Sequence, residues 1–150
     1  NDGKGGPATT GGAISEIEIA NMAHNPAECP PKIQGKFILL ADPKKTREIA
    51  NWDLVGNELQ FAEGSNPLLH VDGGVKTIVY KNKVIDYVGG CKNSVLEIRT
   101  RNDDGTGSRI RITPLQIATN STKPGFHLNL LFVNKSPGNK SQYNEDFIQK

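Results

Sequence analysis

The stretch "LEIRTRNDDGTGSRIRI", Leu96 to Ile112, alternates apolar and charged residues on both sides of a run of Asn, Asp and Gly. Side chains of a strand point alternately to opposite faces, so residues of one parity share a side. Going in, Leu96 and Ile98 take one face while Glu97, Arg99 and Arg101 take the other. Coming out, Ile110 and Ile112 oppose Arg109 and Arg111. Asn, Asp and Gly tolerate positive φ, so residues 102–108 read as the loop of a β-hairpin. A calcium loop does not fit. With Gly105 at the EF-hand glycine, Thr100 falls at the first ligand position and Arg111 at the last, where Glu is required.

Keeping the apolar faces in register places Arg101 near Arg109 and Arg99 near Arg111, with four of the chain's five arginines on one solvent face. Like charges directly opposite each other destabilise a ladder, so something must compensate. One answer is a bound anion, since guanidinium forks suit sulfate, phosphate and carboxylate. The other is local: Glu97, Asp103 and Asp104, with Glu16 and Glu18 if "SEIEI" pairs with the hairpin, would form an ion-pair ladder of small net value. Charge runs are more often solvated faces than binding sites, so the second answer leads.

Outward from this hairpin the same period recurs. "VKTIVYKNKVIDYV" predicts a hairpin turning at Lys81-Asn82-Lys83, and "NWDLVGNELQF" predicts another about Gly56-Asn57. "KIQGKFILLA", "LLHV" and "AISEIEIANMA" read as further strands. "GFHLNLLFVNK" sets Phe126, Leu128, Leu130 and Phe132 on one face. Asp42 as N-cap with Pro43 behind it predicts a short helix or turn in "DPKKTREIA". The expected fold is all-β and mainly antiparallel, a sandwich or barrel of about eight strands with at most one short helix. Residues 1–13 read as a flexible Gly-rich arm, 14–136 as a single β-rich domain and 137–150 as a polar tail.

No apolar run exceeds the five residues of "FILLA", against the roughly 18 that a membrane-spanning helix needs, so a soluble chain without a membrane span is expected. Cys29 and Cys91 are too far apart for a CxxC metal site, and three scattered histidines do not complete a zinc set. Their flanks, "AECPPK" and "VGGCKN", suit a disulfide, which implies an oxidising compartment and hence a secreted, extracellular or periplasmic protein. The absence of an initiating methionine fits that expectation weakly. Sequons at Asn120, Asn134 and Asn139 are too few in so Asn-rich a chain to be evidence of glycosylation.

Chemistry is sparse. No G-x-S-x-G, G-x-G-x-x-G or P-loop occurs, so no catalytic residue, metal or cofactor is nominated. His24, His70 and His127 lie on separate segments. Trp52, Tyr80 and Tyr87 could form a sugar-stacking platform, although Tyr80 and Tyr87 differ in parity. The overall charge of +2 implies little, but residues 91–150 carry 9 Lys and Arg against 5 Asp and Glu. The functional expectation is therefore a secreted, non-enzymatic protein that binds a macromolecule, host-directed, adhesive or inhibitory. Its partner would be a protein or an anionic glycan rather than a nucleic acid. Arg99, Arg101, Arg109 and Arg111 would form the anionic-ligand face, extended by Lys81 and Lys83 and by Lys76. The rival expectation is a barrel carrying a lipid or other small apolar ligand, and the third a small hydrolase or nuclease using His70 or His127. Oligomeric state is not encoded in any of these features.

Overall fold

The computed structural model describes residues 16–115, 123–134 and 140–150. The Gly-rich arm at 1–13 and the sequons at Asn120 and Asn139 lie outside them. The described chain is all-β. One 3₁₀ turn at Pro26–Glu28 is followed by ten strands: β1 Gly35–Leu39, β2 Asp42–Val55, β3 Glu58–Glu63, β4 Leu69–Val71 and β5 Lys76–Tyr80, then β6 Lys83–Lys92, β7 Val95–Asn102, β8 Gly107–Pro114, β9 Gly125–Val133 and β10 Lys140–Gln149. All pair antiparallel in one sheet, in the order β4-β3-β2-β1-β10-β9-β8-β7-β6-β5.

Turn chemistry sets much of this meander. Lys81 and Asn82 both adopt positive φ, 51° and 64°, which gives a two-residue turn whose twist matches the strands it joins. Gly56 at φ 61° turns β2 into β3. Twist then curls the sheet into a half-barrel. Across the seam, the His70 N–H donates to the Tyr87 hydroxyl at 2.9 Å and the Gly73 N–H to the Gly89 carbonyl at 2.8 Å.

One end of the curl is filled by aromatic side chains. Phe37 meets Phe126 edge-on at 4.9 Å between ring centroids, Phe126 stacks on Phe147 at 5.2 Å, and Trp52 meets Phe61 at 5.8 Å. Leu96, Ile98, Ile112 and Leu128 complete this core as the alternation predicts. Cys29 and Cys91 form a disulfide that ties the segment before β1 to β6. Among the described residues no helix is long and apolar enough to cross a membrane.

Four expectations need correction. "DPKKTREIA" is not a helix: it opens β2, where pairing of Lys36–Ile38 with Thr46–Glu48 overrides the local capping signal. Of the strand expected over "AISEIEIANMA", the described residues 16–23 form none, and they cross the outer face of the sheet as a strap. Met22 N–H bonds to Gly73 O at 2.8 Å, and a Cβ on Gly90 would stand 2.2 Å from Ala23 O, so the strap needs a glycine beneath it. The polar run 140–150, read as tail, contributes β10, which pairs with β9 on one side and β1 on the other. Finally, the arginine hairpin closes two residues tighter than expected. Asn102 N–H bonds to Thr106 O, so Arg99 faces Arg109, Glu97 faces Arg111, and Arg101 faces Gly107.

Candidate functional site

The inner face of the β7–β8 hairpin changes character along its length. Leu96, Ile98 and Ile112 are fully buried, but towards the loop the same row ends in Thr100 and Ser108, directly opposite each other. Their hydroxyls bond at 2.7 Å. Two small side chains where the packed end has Phe and Leu leave the curl unfilled there, and a cavity of about 450 Å³ results. Small-molecule sites span roughly 300–1,000 Å³ and are mostly apolar with a few placed polar groups. This one has that character.

Its walls come from strands on both sides of the seam. Phe61 and Leu69 line it from β3 and β4, Ile78 and Tyr80 from β5, and Ile85 and Tyr87 from β6. Ile110, Leu130 and Phe132 close the far wall. Tyr80 and Tyr87 do share a face, because the two-residue turn pairs Tyr80 with Lys83 and so reverses the parity count across it. Tyr87 is buried with its hydroxyl on the His70 N–H, so it is wall rather than exposed platform. Trp52 is buried in the core and takes no part. Phe132, exposed, meets the exposed Tyr143 edge-on at 6.3 Å.

The polar groups on the wall include an ion pair, Arg47 from β2 and Glu63 from β3. Arg47 is the one arginine outside the hairpin. Its guanidinium also lies over the Phe147 ring, 5.5 Å from the centroid. Burial pushes the Glu63 carboxyl above its ordinary pKa against the opposing pull of Arg47. Neither residue stood out in the sequence. Their separation of 16 positions carries no motif, and a lone Arg and Glu on alternating strands look like solvated charges.

The outer face of the hairpin holds the four arginines predicted to share it, and they are largely paired within the chain. Glu97 accepts from Arg99 Nε at 2.7 Å and from Arg111 Nε at 2.6 Å. Arg109, buried, donates to Glu16 at 2.9 Å and to Asn129 at 3.0 Å. Arg99 also reaches the Glu18 carbonyl of the strap at 3.4 Å. Burial would raise the Glu97 carboxyl, but hydrogen bonds and charge from Arg111 and Arg99 outweigh it and hold the pKa below its usual value. Glu16 is lowered likewise, Lys140 and Arg109 overcoming its burial. The Nε groups of Arg101 and Arg109 are buried with no hydrogen-bond partner among the described residues. Lys83 pairs with Tyr80 and Lys76 with Tyr87, which gives both lysines the parity of the inner face, whereas Arg101 pairs with Asp86 on the outer one. Lys81 sits at the turn with its ammonium over Tyr80. The lysines therefore do not extend the arginine row.

The histidines take separate partners. His24 accepts from the Cys91 N–H through Nδ1, so its Nε2 carries the proton donated to Asn57 O, both at 3.0 Å. His70 contacts Glu58 at 2.6 Å. His127 contacts Asp146 at 2.6 Å and Asn144 at 3.2 Å, and the Asp146 bond raises its pKa. Among the described residues the one set with metal-ligand spacing is His24, Cys29 and Cys91, and there the two sulfurs are joined to each other. No family model, curated protein or solved structure matches this chain.

Proposed function

We propose that this is a non-enzymatic binding protein, secreted into an oxidising compartment, that holds a small apolar or amphiphilic molecule inside its half-barrel. The observation that carries the reading is the cavity of about 450 Å³, walled by aliphatic and aromatic side chains, with Phe132 its exposed aromatic. The space opens to solvent, so an occupant would bury apolar walls that water otherwise wets, and its size and lining are those of small-molecule sites. The disulfide supports the compartment, since such bonds persist where thiols are not kept reduced.

The test is titration with N-phenyl-1-naphthylamine, a neutral dye that brightens in apolar sites, for the wild type and for Ile110→Trp. Ile110 faces the cavity from β8, so the larger ring occupies ligand space. The expected result is saturable one-to-one binding that the variant weakens about tenfold or more, with its thermal midpoint little changed. No saturable binding by the wild type, or equal binding by a folded variant, would count against a carrier.

Recognition of an anionic macromolecule by the arginine face ranks second. A polyanion would have to displace Glu97 from Arg99 and Arg111, and Glu16 from Arg109, before it met those guanidinium groups.

A further inference from the structure

We propose that the preferred occupant is an aliphatic carboxylate, its chain within the curl and its head group on Arg47, with Glu63 taking up a proton as it yields its place. This rests on the carrier reading and names the ligand class.

Arg47 faces inward because it pairs with core residue Phe37 across β1 and β2. Its side chain is 24% exposed and that of Glu63 22%. The pair stands on a partition: both residues line the main cavity and also a shallower cleft of about 320 Å³ bounded by Thr46, Glu48 and residues 64–66. A head group on Arg47 would thus sit where the apolar space meets water, which is where an amphiphile changes character.

The choice of an anion follows from an asymmetry between the two partners. Arg stays charged under all ordinary conditions, whereas a carboxyl can be discharged by one proton. A cationic ligand on Glu63 would leave Arg47 uncompensated in a half-buried site. An anionic ligand on Arg47 leaves Glu63, whose burial already favours the neutral acid. The exchange therefore runs in one direction. Ligand carboxylate, the Arg47–Glu63 ion pair and one solvent proton give a ligand–Arg47 ion pair beside neutral Glu63, with net charge conserved. Arg47 is held by the Phe147 ring, so the fork need not be reorganised when its partner changes. The other titratable groups lining the two spaces are Glu48 on β2, Tyr80 on β5 and Tyr87 on β6.

The experiment is calorimetric titration with dodecanoate and with dodecan-1-ol at pH 7.5, in two buffers of different ionisation enthalpy. Wild type, Glu63→Gln and Arg47→Gln are compared. Expected for the wild type is uptake of close to one proton per dodecanoate, with affinity falling up to about tenfold per pH unit as pH rises. Glu63→Gln should bind dodecanoate about tenfold tighter with no proton uptake. Arg47→Gln should lose dodecanoate about tenfold or more while keeping dodecanol. If Arg47→Gln does not fold, Arg47→Gln/Glu63→Gln, which leaves no charge on the partition, carries the same comparison. Equal binding of acid and alcohol by all forms would overturn the head-group assignment and leave the carrier reading standing. Binding of neither probe by the wild type would remove both.

Discussion

Replacing Cys29 and Cys91 together by Ser is expected to lower stability by about 4 kcal/mol, or about 10 °C in thermal midpoint. The bond joins residues 62 apart, and in the chain-entropy account a link of that span removes most of the freedom that the unfolded chain would regain. Its native surroundings add to the effect. Cys91 is fully buried in the core, and around it Asn25 N–H bonds to Cys91 O, Ser94 N–H to Glu28 O and Asn93 N–H to the Glu28 carboxylate. These bonds hold the segment before β1 only while it stays docked. Without the covalent tie, the strap and the His24 bond to Cys91 N–H open at small cost. Urea titration of the double variant against the oxidised protein measures the loss. A change below about 1 kcal/mol would mean that the docked contacts suffice without the bond.

Glu97→Gln is expected to cost about 2–3 kcal/mol at neutral pH, although the substitution keeps the side chain's shape. Glu97 is 17% exposed and bridges two guanidinium groups on neighbouring strands. Losing the carboxylate strips both Arg99 and Arg111 of their counter-charge, and leaves Arg99 directly opposite Arg109, whose own partner is Glu16. The pH dependence has a definite sign. The folded-state pKa of Glu97 lies below its unfolded value, so its contribution is present above the unfolded value and lost as pH falls through the folded one. Glu16 behaves in the same sense. Glu63 has the opposite sign, being raised, and contributes more as pH falls. Stability curves of wild type and Glu97→Gln should therefore converge in acid. Parallel curves down to the lowest pH would show that Glu97 is not the group that balances the arginines.

The hairpins were legible because turn residues and period-two alternation report on local geometry. Gly56-Asn57 and Lys81-Asn82 turn where the composition places them, and the loop after Asn102 closes within the stretch it marks, two residues tighter than expected. What the period does not report is pairing at a distance. β10 reads as tail because only Phe147 of its inward row is a large buried apolar residue, and its strand character comes from β9 and β1 on either side. The strap shows the reverse. "SEIEI" has strand periodicity, yet Ile17 is buried with Leu131 and Val133 on the outer face while its glutamate neighbour Glu16 bonds Arg109 and Lys140. The alternation was real; its partners were side chains rather than a ladder. The arginine face was legible as a charged row, and the local ion-pair ladder considered for it matches Glu97 and Glu16 as found. The cavity was not legible, because it arises from two small residues, Thr100 and Ser108, facing each other within a curl that sequence pattern does not reveal.

The central claim, an apolar molecule inside the half-barrel, is tested most directly by methyl-detected NMR during titration with N-phenyl-1-naphthylamine. Saturable shifts at Ile78, Ile85, Ile110 and Leu130, with Ile17, Leu131 and Val133 of the outer face unmoved, are the predicted result. Shifts centred on the outer face, or none in the cavity at saturating dye, would contradict it.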